Sequence, residues 1–125
     1  MNLNQITLPS KDLGPSVAFY KALGLHLIVE ALPRYVRFEC PDGDSTLSIH
    51  KVDNLPEGEG VVIYFENEDL DNWVIELKQK GINFTEDPET KTWLWREAHL
   101  NDPDGNRIIL YHAGEHRKNP PWRIN

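Results

Sequence analysis

Hydrophobic residues recur along this chain in an order that is the same in both halves. Residues 3–8 (LNQITL) alternate between apolar and polar side chains, and residues 61–66 (VVIYFE) are rich in β-branched and aromatic ones, so both segments predict strands. An apolar stripe at helical spacing follows each strand. The stripes consist of Leu13, Val17 and Tyr20 in the first half and of Leu70, Trp73, Val74 and Leu77 in the second. Each half therefore begins with a strand and an amphipathic helix.

The two predicted helices also have matching ends. Asp12 and Asp69 stand where a carboxylate can accept hydrogen bonds from the first backbone N–H groups of a helix. Gly24 and Gly81 stand where a glycine can end a helix in the left-handed conformation. The aspartate and the glycine are twelve positions apart in both halves. Agreement in strand, cap and stop indicates an internal repeat.

Three more strands complete each half. Residues 26–30 and 82–85 predict short strands, and each is followed by two strands joined through a Pro-Asp-Gly turn. These last strands are predicted at 35–40 and 46–52 in the first half and at 93–100 and 107–112 in the second. The predicted fold class is α+β with two βαβββ modules, at about residues 1–55 and 60–112. Together with a tail at 113–125 they form one predicted domain of 125 residues.

Composition indicates which classes of binding partner and which cellular compartment to expect. A formal net charge of −7 disfavours binding to nucleic acid and to anionic lipid. No apolar run approaches the roughly 20 residues that span a bilayer, and the N-terminus lacks the features of a secretory signal. The single cysteine, Cys40, excludes an internal disulfide and fits a reducing compartment. We therefore expect a cytoplasmic protein with neither nucleic-acid nor membrane partners.

The order of elements resembles the vicinal-oxygen-chelate superfamily, which includes glyoxalase I, fosfomycin-resistance proteins, bleomycin-binding proteins and extradiol dioxygenases. The local matches are Asp12 with Phe19-Tyr20, then Gly24-Leu25, and the turn Asn101–Asn106. The resemblance covers nearly the whole chain up to His112. It implies that the two modules form a curved mixed sheet, shaped as a cup around a site. It selects no activity, because this fold hosts lyases, oxygenases, isomerases and pure binders.

The resemblance also implies four metal-ligand positions, which fall on Gln5, Ser48, Val62 and Ile109. Valine and isoleucine offer no lone pair, and serine is a poor ligand for a divalent ion. Gln5 alone cannot hold a metal that needs about four to six donors. We therefore expect neither a metal at the family position nor a cofactor. A metal site built from displaced ligands remains an alternative, although no HxxH or HxH spacing supports it.

Strand alternation assigns side chains to the two faces of the first sheet. If Val36, Phe38, Leu47 and Ile49 pack under a helix, then Arg37, Glu39 and His50 face the other way. Aligning Gly43 with Gly105 without a gap gives the strand of Ser48 and His50 the opposite facing. Burial of Leu47 and Ile49 is worth a few kcal/mol and favours the first assignment.

The resemblance assigns further residues to the cup in the second half. Our candidate catalytic residues are His99, Glu97 and His50, because histidine and glutamate on adjacent strands can transfer protons. The candidate substrate-binding residues are Arg37, Glu39, Tyr64, Trp95, Arg107, Tyr111 and Gln5. A plainer interpretation treats Arg37–Glu39 and Glu97–Arg107 as ordinary cross-strand ion pairs on a wetted sheet face.

Three functions fit these residues. The first is an enzyme that performs metal-independent acid–base chemistry on a small polar or aromatic molecule. The second is a non-catalytic protein that sequesters such a molecule, and the third is a metal-dependent lyase or isomerase with displaced ligands. Arg37 and Arg107 favour a carboxylate or another oxyanion as the ligand. We also expect a homodimer, since family members commonly pair and the Trp93/Trp95 and Pro120-Pro121-Trp122 segments offer apolar surface.

Overall fold

The computed structural model describes all 125 residues, which divide into two compact units. The first unit comprises Met1–Gly60 together with Asp102–Asn106, and the second comprises Val61–Asn101 and Arg107–Asn125. The elements of the first unit are β1 (Gln5–Ser10), α1 (Leu13–Leu23), β2 (His26–Ala31), β3 (Tyr35–Glu39) and β4 (Thr46–Lys51). Its four-stranded sheet has the order β1-β4-β3-β2, with β1 and β4 parallel and the other pairs antiparallel.

The second unit repeats this arrangement. It contains β5 (Val62–Glu66), α2 (Leu70–Gln79), β6 (Glu86–Thr90), β7 (Arg96–Asn101) and β8 (Arg107–His112), followed by a 3₁₀ helix at Gly114–Arg117. Its sheet has the order β5-β8-β7-β6, again with one parallel pair, β5 and β8. The predicted α+β fold with two βαβββ modules is confirmed. Neither helix is long and apolar enough to span a membrane.

The predicted stops of both helices are confirmed, whereas only one of the two caps is. Asp12 accepts a hydrogen bond from Gly14 N at 3.1 Å. Gly24 and Gly81 have φ values of 111° and 90°, in the left-handed region that glycine tolerates. Asp69 occupies the N-cap position but bonds no backbone N–H. Its carboxylate instead accepts from Asn72 Nδ2 at 2.9 and 3.1 Å, so the side chain of Asn72 takes the place of the backbone donor.

Two predicted strands have the wrong boundaries. Residues 82–85 are not a strand, and β6 begins only at Glu86. It contains Pro88, which has no N–H for the ladder, and its register shifts between Glu86 and Glu89. The strand predicted at 93–100 starts at Arg96. The preceding residues form a turn in which Leu94 adopts a φ of 71°, a backbone conformation that residues other than glycine rarely adopt.

One face of each sheet forms an apolar core with the helix of its own unit. In the first sheet Val36, Phe38 and Ile49 are fully buried and Leu47 is 2% exposed. Phe38 lies 5.9 Å from the ring centroid of Tyr20 on α1. The strands of the second unit follow the same alternation, and the buried residues on its helix side are Ile63, Leu70, Val74, Leu77, Ala98, Leu100, Ile108 and Leu110. The predicted inward facing of Leu47 and Ile49 is confirmed.

The lengths of the two Pro-Asp-Gly turns explain the conflict of facing seen in the sequence. Glu39 pairs with Thr46 across residues 40–45, whereas Asn101 pairs with Arg107 across residues 102–106. The first turn is therefore one residue longer. An ungapped alignment places the following strand out of phase, because a shift of one residue moves every side chain to the opposite face.

A buried hydrogen bond fixes the second turn within the first unit. Tyr20 is fully buried and donates its hydroxyl to Asp102 Oδ2 at 2.7 Å. The Asp102 carboxylate also accepts from Asp104 N, Asn106 N and Asn106 Nδ2 at 2.8–2.9 Å. Burial and the neighbouring Asp102 carboxylate raise the pKa of Tyr20 far above its usual value. This carboxylate is thus saturated with donors, and the tyrosine supplies the one donor from the helix.

We expect Tyr20→Phe to lower the free energy of unfolding by about 1–2 kcal/mol at neutral pH, because it removes one of the four hydrogen bonds that the buried Asp102 carboxylate accepts. The same substitution should flatten the loss of stability at alkaline pH. The folded-state pKa of Tyr20 is raised, so the unfolded chain releases this proton first, near the ordinary value of 10.0. Stability from this group is therefore complete below that pH and declines above it. Urea unfolding at several pH values checks both effects, and an equal alkaline decline in the variant contradicts the second.

Candidate functional site

An aromatic cluster lies on the face of the second sheet opposite its helix. The rings of Trp95 and Tyr111 stack with centroids 4.8 Å apart and an interplanar angle of 20°. Tyr64 meets both of them edge to face, at 5.8 Å from Trp95 and 5.5 Å from Tyr111. Tyr111 is buried, whereas Tyr64 is 46% exposed, so the cluster has a buried base and an accessible ring. The structure brings these three predicted binding residues together.

Arg107 lies beside this cluster without an acidic partner. The strand register sets it opposite Val62 on β5 and Asn101 on β7, with Tyr64 diagonally across. Its side chain is exposed and forms neither a hydrogen bond nor an ion pair, so the alternative interpretation of a Glu97–Arg107 ion pair is wrong. Partial burial and the Glu97 carboxylate raise the pKa of Tyr64, and the charge of Arg107 opposes them. A cation and an accessible ring therefore stand next to each other.

Glu97 and His99 form a hydrogen-bonded pair on β7. Glu97 is only 3% exposed, and its two oxygens are bonded to different partners. Oε1 lies 2.8 Å from His99 Nε2, and Oε2 accepts from Trp93 Nε1 at 2.7 Å. The other ring nitrogen of His99 is 3.6 Å from Glu86 Oε2, and Lys91 Nζ is paired with Glu86 Oε1. His99 is thus held between two carboxylates, with 22% of its side chain exposed.

The first sheet carries a polar cluster on the face opposite α1. Ser48 is fully buried, and its hydroxyl accepts from Gln5 Nε2 at 2.8 Å. Tyr35 OH lies 2.5 Å from Ser48 Oγ and accepts from Arg37 Nε and Nη2 at 3.0 and 2.9 Å. The hydrogen bond with Ser48, followed by those from Arg37, holds the pKa of Tyr35 below its usual value. Gln5 and Arg37, both predicted to bind substrate, therefore meet through two hydroxyl groups.

Two other predicted residues of the first unit lie outside this cluster. Glu39 does not pair with Arg37, so that alternative is also wrong, and its carboxylate lies 3.8 Å from His26 Nδ1. His50 stands opposite Tyr35 in the register, but it is exposed and forms no side-chain hydrogen bond. No side chain of the first unit is hydrogen-bonded to His50 in a way that would support its predicted catalytic role.

The residues at the four family metal positions do not fit a metal ion. Gln5 and Ser48 are hydrogen-bonded to each other, and Val62 and Ile109 belong to an apolar cluster with Tyr111, Ala113 and Trp95. No group of three or more His, Cys, Asp or Glu side chains is arranged to hold a metal elsewhere. The donor set therefore supports no metal-dependent step.

A shallow, open depression of about 580 Å³ at the end of α1 lies away from these clusters in the first unit. It is lined by Lys21, Gly24, Leu25, His26 and Leu27 and includes none of the predicted site residues. Cys40 is half-buried and unpaired, and burial raises the pKa of its thiol, which disfavours the thiolate of a nucleophile.

Sequence reasoning missed several residues that complete the two polar clusters. Tyr35 alternates with Arg37 on one strand and was therefore available from the pattern. The contacts that Trp93, Glu86 and Lys91 make could not be predicted, because they depend on the turn around Leu94 and on the irregular strand β6.

The comparisons with known proteins agree with this architecture. The profile of the Glyoxalase/Bleomycin resistance protein/Dioxygenase superfamily matches residues 2–110. The uncharacterized protein YraH of Bacillus subtilis (strain 168) is 32% identical in an alignment that covers 89% of this chain and 98% of that protein.

Two solved structures share the fold. One is a glyoxalase/bleomycin resistance protein/dioxygenase from Nocardioides, with a TM-score of 0.79, 21% identity and coverage of 100% of this chain and 90% of that one. The other is a bleomycin-binding protein complexed with bleomycin, with a TM-score of 0.71, 23% identity and coverage of 90% and 98%. The chain belongs to the Glyoxalase/Bleomycin resistance protein/Dioxygenase superfamily.

We expect the purified protein to contain no stoichiometric metal, because two of the four family positions carry hydrocarbon side chains. Elemental analysis of protein prepared without chelator measures this directly. One tightly bound zinc, nickel, manganese or iron per chain that is lost in Gln5→Ala contradicts the prediction.

Proposed function

We propose that the protein binds a small aromatic acid on the aromatic face of the second sheet. The observation that carries this proposal is that the accessible Tyr64 ring lies next to Arg107, which is exposed and forms no ion pair. A flat ring can pack edge-on or offset against Tyr64, while its carboxylate accepts from the guanidinium. The small-molecule complex of the structurally similar bleomycin-binding protein supports a binding role for this fold.

The other two members of the aromatic cluster, the half-buried Trp95 and the buried Tyr111, favour a rigid binding surface. Trp95 is fixed at both ends, because its ring stacks on Tyr111 and its Nε1 donates to His116 O at 3.2 Å. Burial and the neighbouring Glu66 raise the pKa of Tyr111, so its hydroxyl stays neutral at physiological pH. A ligand that packs on Tyr64 therefore meets a surface whose side chains lose little conformational freedom on binding.

A second candidate function is acid–base catalysis by His99 on such a ligand. Its specific support is the hydrogen bond from Nε2 to the buried Glu97, which orients the ring and leaves Nδ1 to accept a proton. Glu86, at 3.6 Å from Nδ1, then stabilises the imidazolium that forms. Without turnover the same face serves a protein that sequesters its ligand.

The binding proposal predicts a charge preference that depends on Arg107. Benzoate should bind more tightly than benzamide, which has the same ring and a similar shape but no charge. Arg107→Gln should remove about 1–3 kcal/mol of the benzoate affinity, the usual range for a charged hydrogen bond, and leave benzamide unchanged. Isothermal titration calorimetry measures both.

Arg34→Gln is the matched control for this experiment. It removes the same charge from an exposed residue of the β2–β3 turn and should leave benzoate binding unaltered. Equal losses of benzoate affinity in both variants point to net charge rather than to a site. Tighter binding of benzamide than of benzoate refutes an acid as the ligand.

The catalytic candidate predicts proton exchange that depends on His99. In D₂O the protein should accelerate exchange of the methylene protons of phenylpyruvate by about a hundredfold or more, as positioned general bases do. His99→Gln keeps a donor for Glu97 but cannot shuttle the proton, so exchange should cease while affinity stays within about twofold. Proton NMR follows the exchange. Binding with no acceleration in the wild-type protein assigns sequestration instead.

We also propose a cytoplasmic homodimer. Apolar side chains remain exposed at Trp93 (45%), Leu94 (39%) and Trp122 (57%), and the free Cys40 suits a reducing compartment. Light scattering at micromolar concentration should give the mass of two chains. A monomer mass under these conditions contradicts the proposal.

A further inference from the structure

The polar cluster on the first sheet contains more hydrogen-bond donors than it has acceptors. Tyr35 and Ser48 each have one hydroxyl proton, but only one of them can occupy the bond between the two oxygens. Gln5 donates its side-chain amide N–H groups to Ser48 and Thr7, and Thr46 already donates to its carbonyl oxygen. One hydroxyl proton is therefore left without an acceptor inside the cluster.

Burial decides which proton that is. Ser48 is fully buried, so an unpaired proton on its oxygen would pay the full cost of a lost hydrogen bond. Tyr35 is only half-buried. The stable arrangement has Ser48 donating to Tyr35, whose oxygen also accepts from Arg37. The proton of Tyr35 then points out of the cluster.

The charge of Arg37 also lacks a counter-ion. A guanidinium has five N–H donors, and only Nε and Nη2 of Arg37 have partners, so the Nη1 donors are uncommitted. Those partners are neutral hydroxyls. The acidic residue on the same strand, Glu39, lies against His26 instead. Positive charge and free donors thus coincide beside the Tyr35 hydroxyl.

We propose that Tyr35 and Arg37 form an oxyanion-binding site on the first sheet, with Ser48 and Gln5 as the groups that position Tyr35. The oxyanion accepts one hydrogen bond from the Tyr35 hydroxyl and others from the uncommitted donors of Arg37. Ser48 acts from behind, because its donation to the phenol oxygen turns the phenol proton toward the ligand. The lowered pKa of Tyr35 agrees with an oxygen surrounded by donors. This site lies within the first unit, and its residues are different from those of the aromatic-acid site proposed above.

Nuclear magnetic resonance of the Arg37 Nε–Hε group tests the site with inorganic phosphate and with acetate as probes. At constant ionic strength and neutral pH, a saturable shift is expected with at least one probe and not with chloride. Saturation by phosphate alone indicates a tetrahedral ligand, and saturation by acetate indicates a carboxylate. No saturable shift with either probe, or an equal shift with chloride, overturns the proposal.

Variants separate the roles within the site. Tyr35→Phe removes the outward proton and should weaken binding of the responding anion about fivefold or more, the effect of one hydrogen bond. Arg37→Gln should abolish binding, whereas Arg34→Gln should leave it unchanged. Calorimetry measures anion binding in the Arg37→Gln and Arg34→Gln variants, and circular dichroism confirms that they are folded. If Tyr35→Phe is folded and binds as tightly as the wild type, the assignment is wrong.

Discussion

Strand alternation is the constraint on which the rest of this structure depends. A strand sends successive side chains to opposite faces, and the single helix of each βαβββ unit covers one of those faces. Phe38 and Ile49 in the first unit, and Ile108 and Leu110 in the second, are fully buried on the helix side. Each burial is worth about 2 kcal/mol, so sliding a strand by one residue would be strongly unfavourable. The register then decides which side chains meet on the other face.

On that other face, polar groups are tolerated only where they find partners. Glu97 is buried and bonded on both oxygens, and Ser48 is buried and bonded to Gln5 and Tyr35. An unpaired carboxylate or hydroxyl there would cost more than most single contacts contribute. Donors without a partner remain on the more exposed side chains, namely the hydroxyl proton assigned to Tyr35 and the guanidinium groups of Arg37 and Arg107. A ligand that accepts hydrogen bonds from these donors gains the most binding free energy.

The parts that a sequence specifies locally were predicted well. Helix ends followed from Asp12, Gly24 and Gly81, and the facing of β4 followed from Leu47 and Ile49, because capping and alternation depend on near neighbours. Side-chain partners were predicted poorly. The alternative interpretation, which paired Arg37 with Glu39 and Arg107 with Glu97, was wrong, because the choice of carboxylate for each cation depends on rotamers and on distant strands. The contacts of Trp93 and Lys91 also depend on a turn in which Leu94 adopts the left-handed conformation, and no local sequence pattern predicts that turn.

The internal repeat shows how the two faces diverged. Tyr35 and Arg37 stand opposite His50 and Ser48, and Glu97 and His99 stand opposite Tyr111 and Ile109, so the two pairs occupy equivalent positions.

The pair of Tyr35 and Arg37 is rich in hydrogen-bond donors, whereas the pair of Glu97 and His99 combines a carboxylic acid with an imidazole. The position of Ser48, a family metal-ligand position, corresponds to Ile109, which is 4% exposed and packed with Tyr111 and Trp95. A carboxylate placed there would be buried without a partner unless a cation accompanied it. The aromatic cluster of the second sheet and a metal site are therefore alternative uses of one position, and this chain has the aromatic cluster.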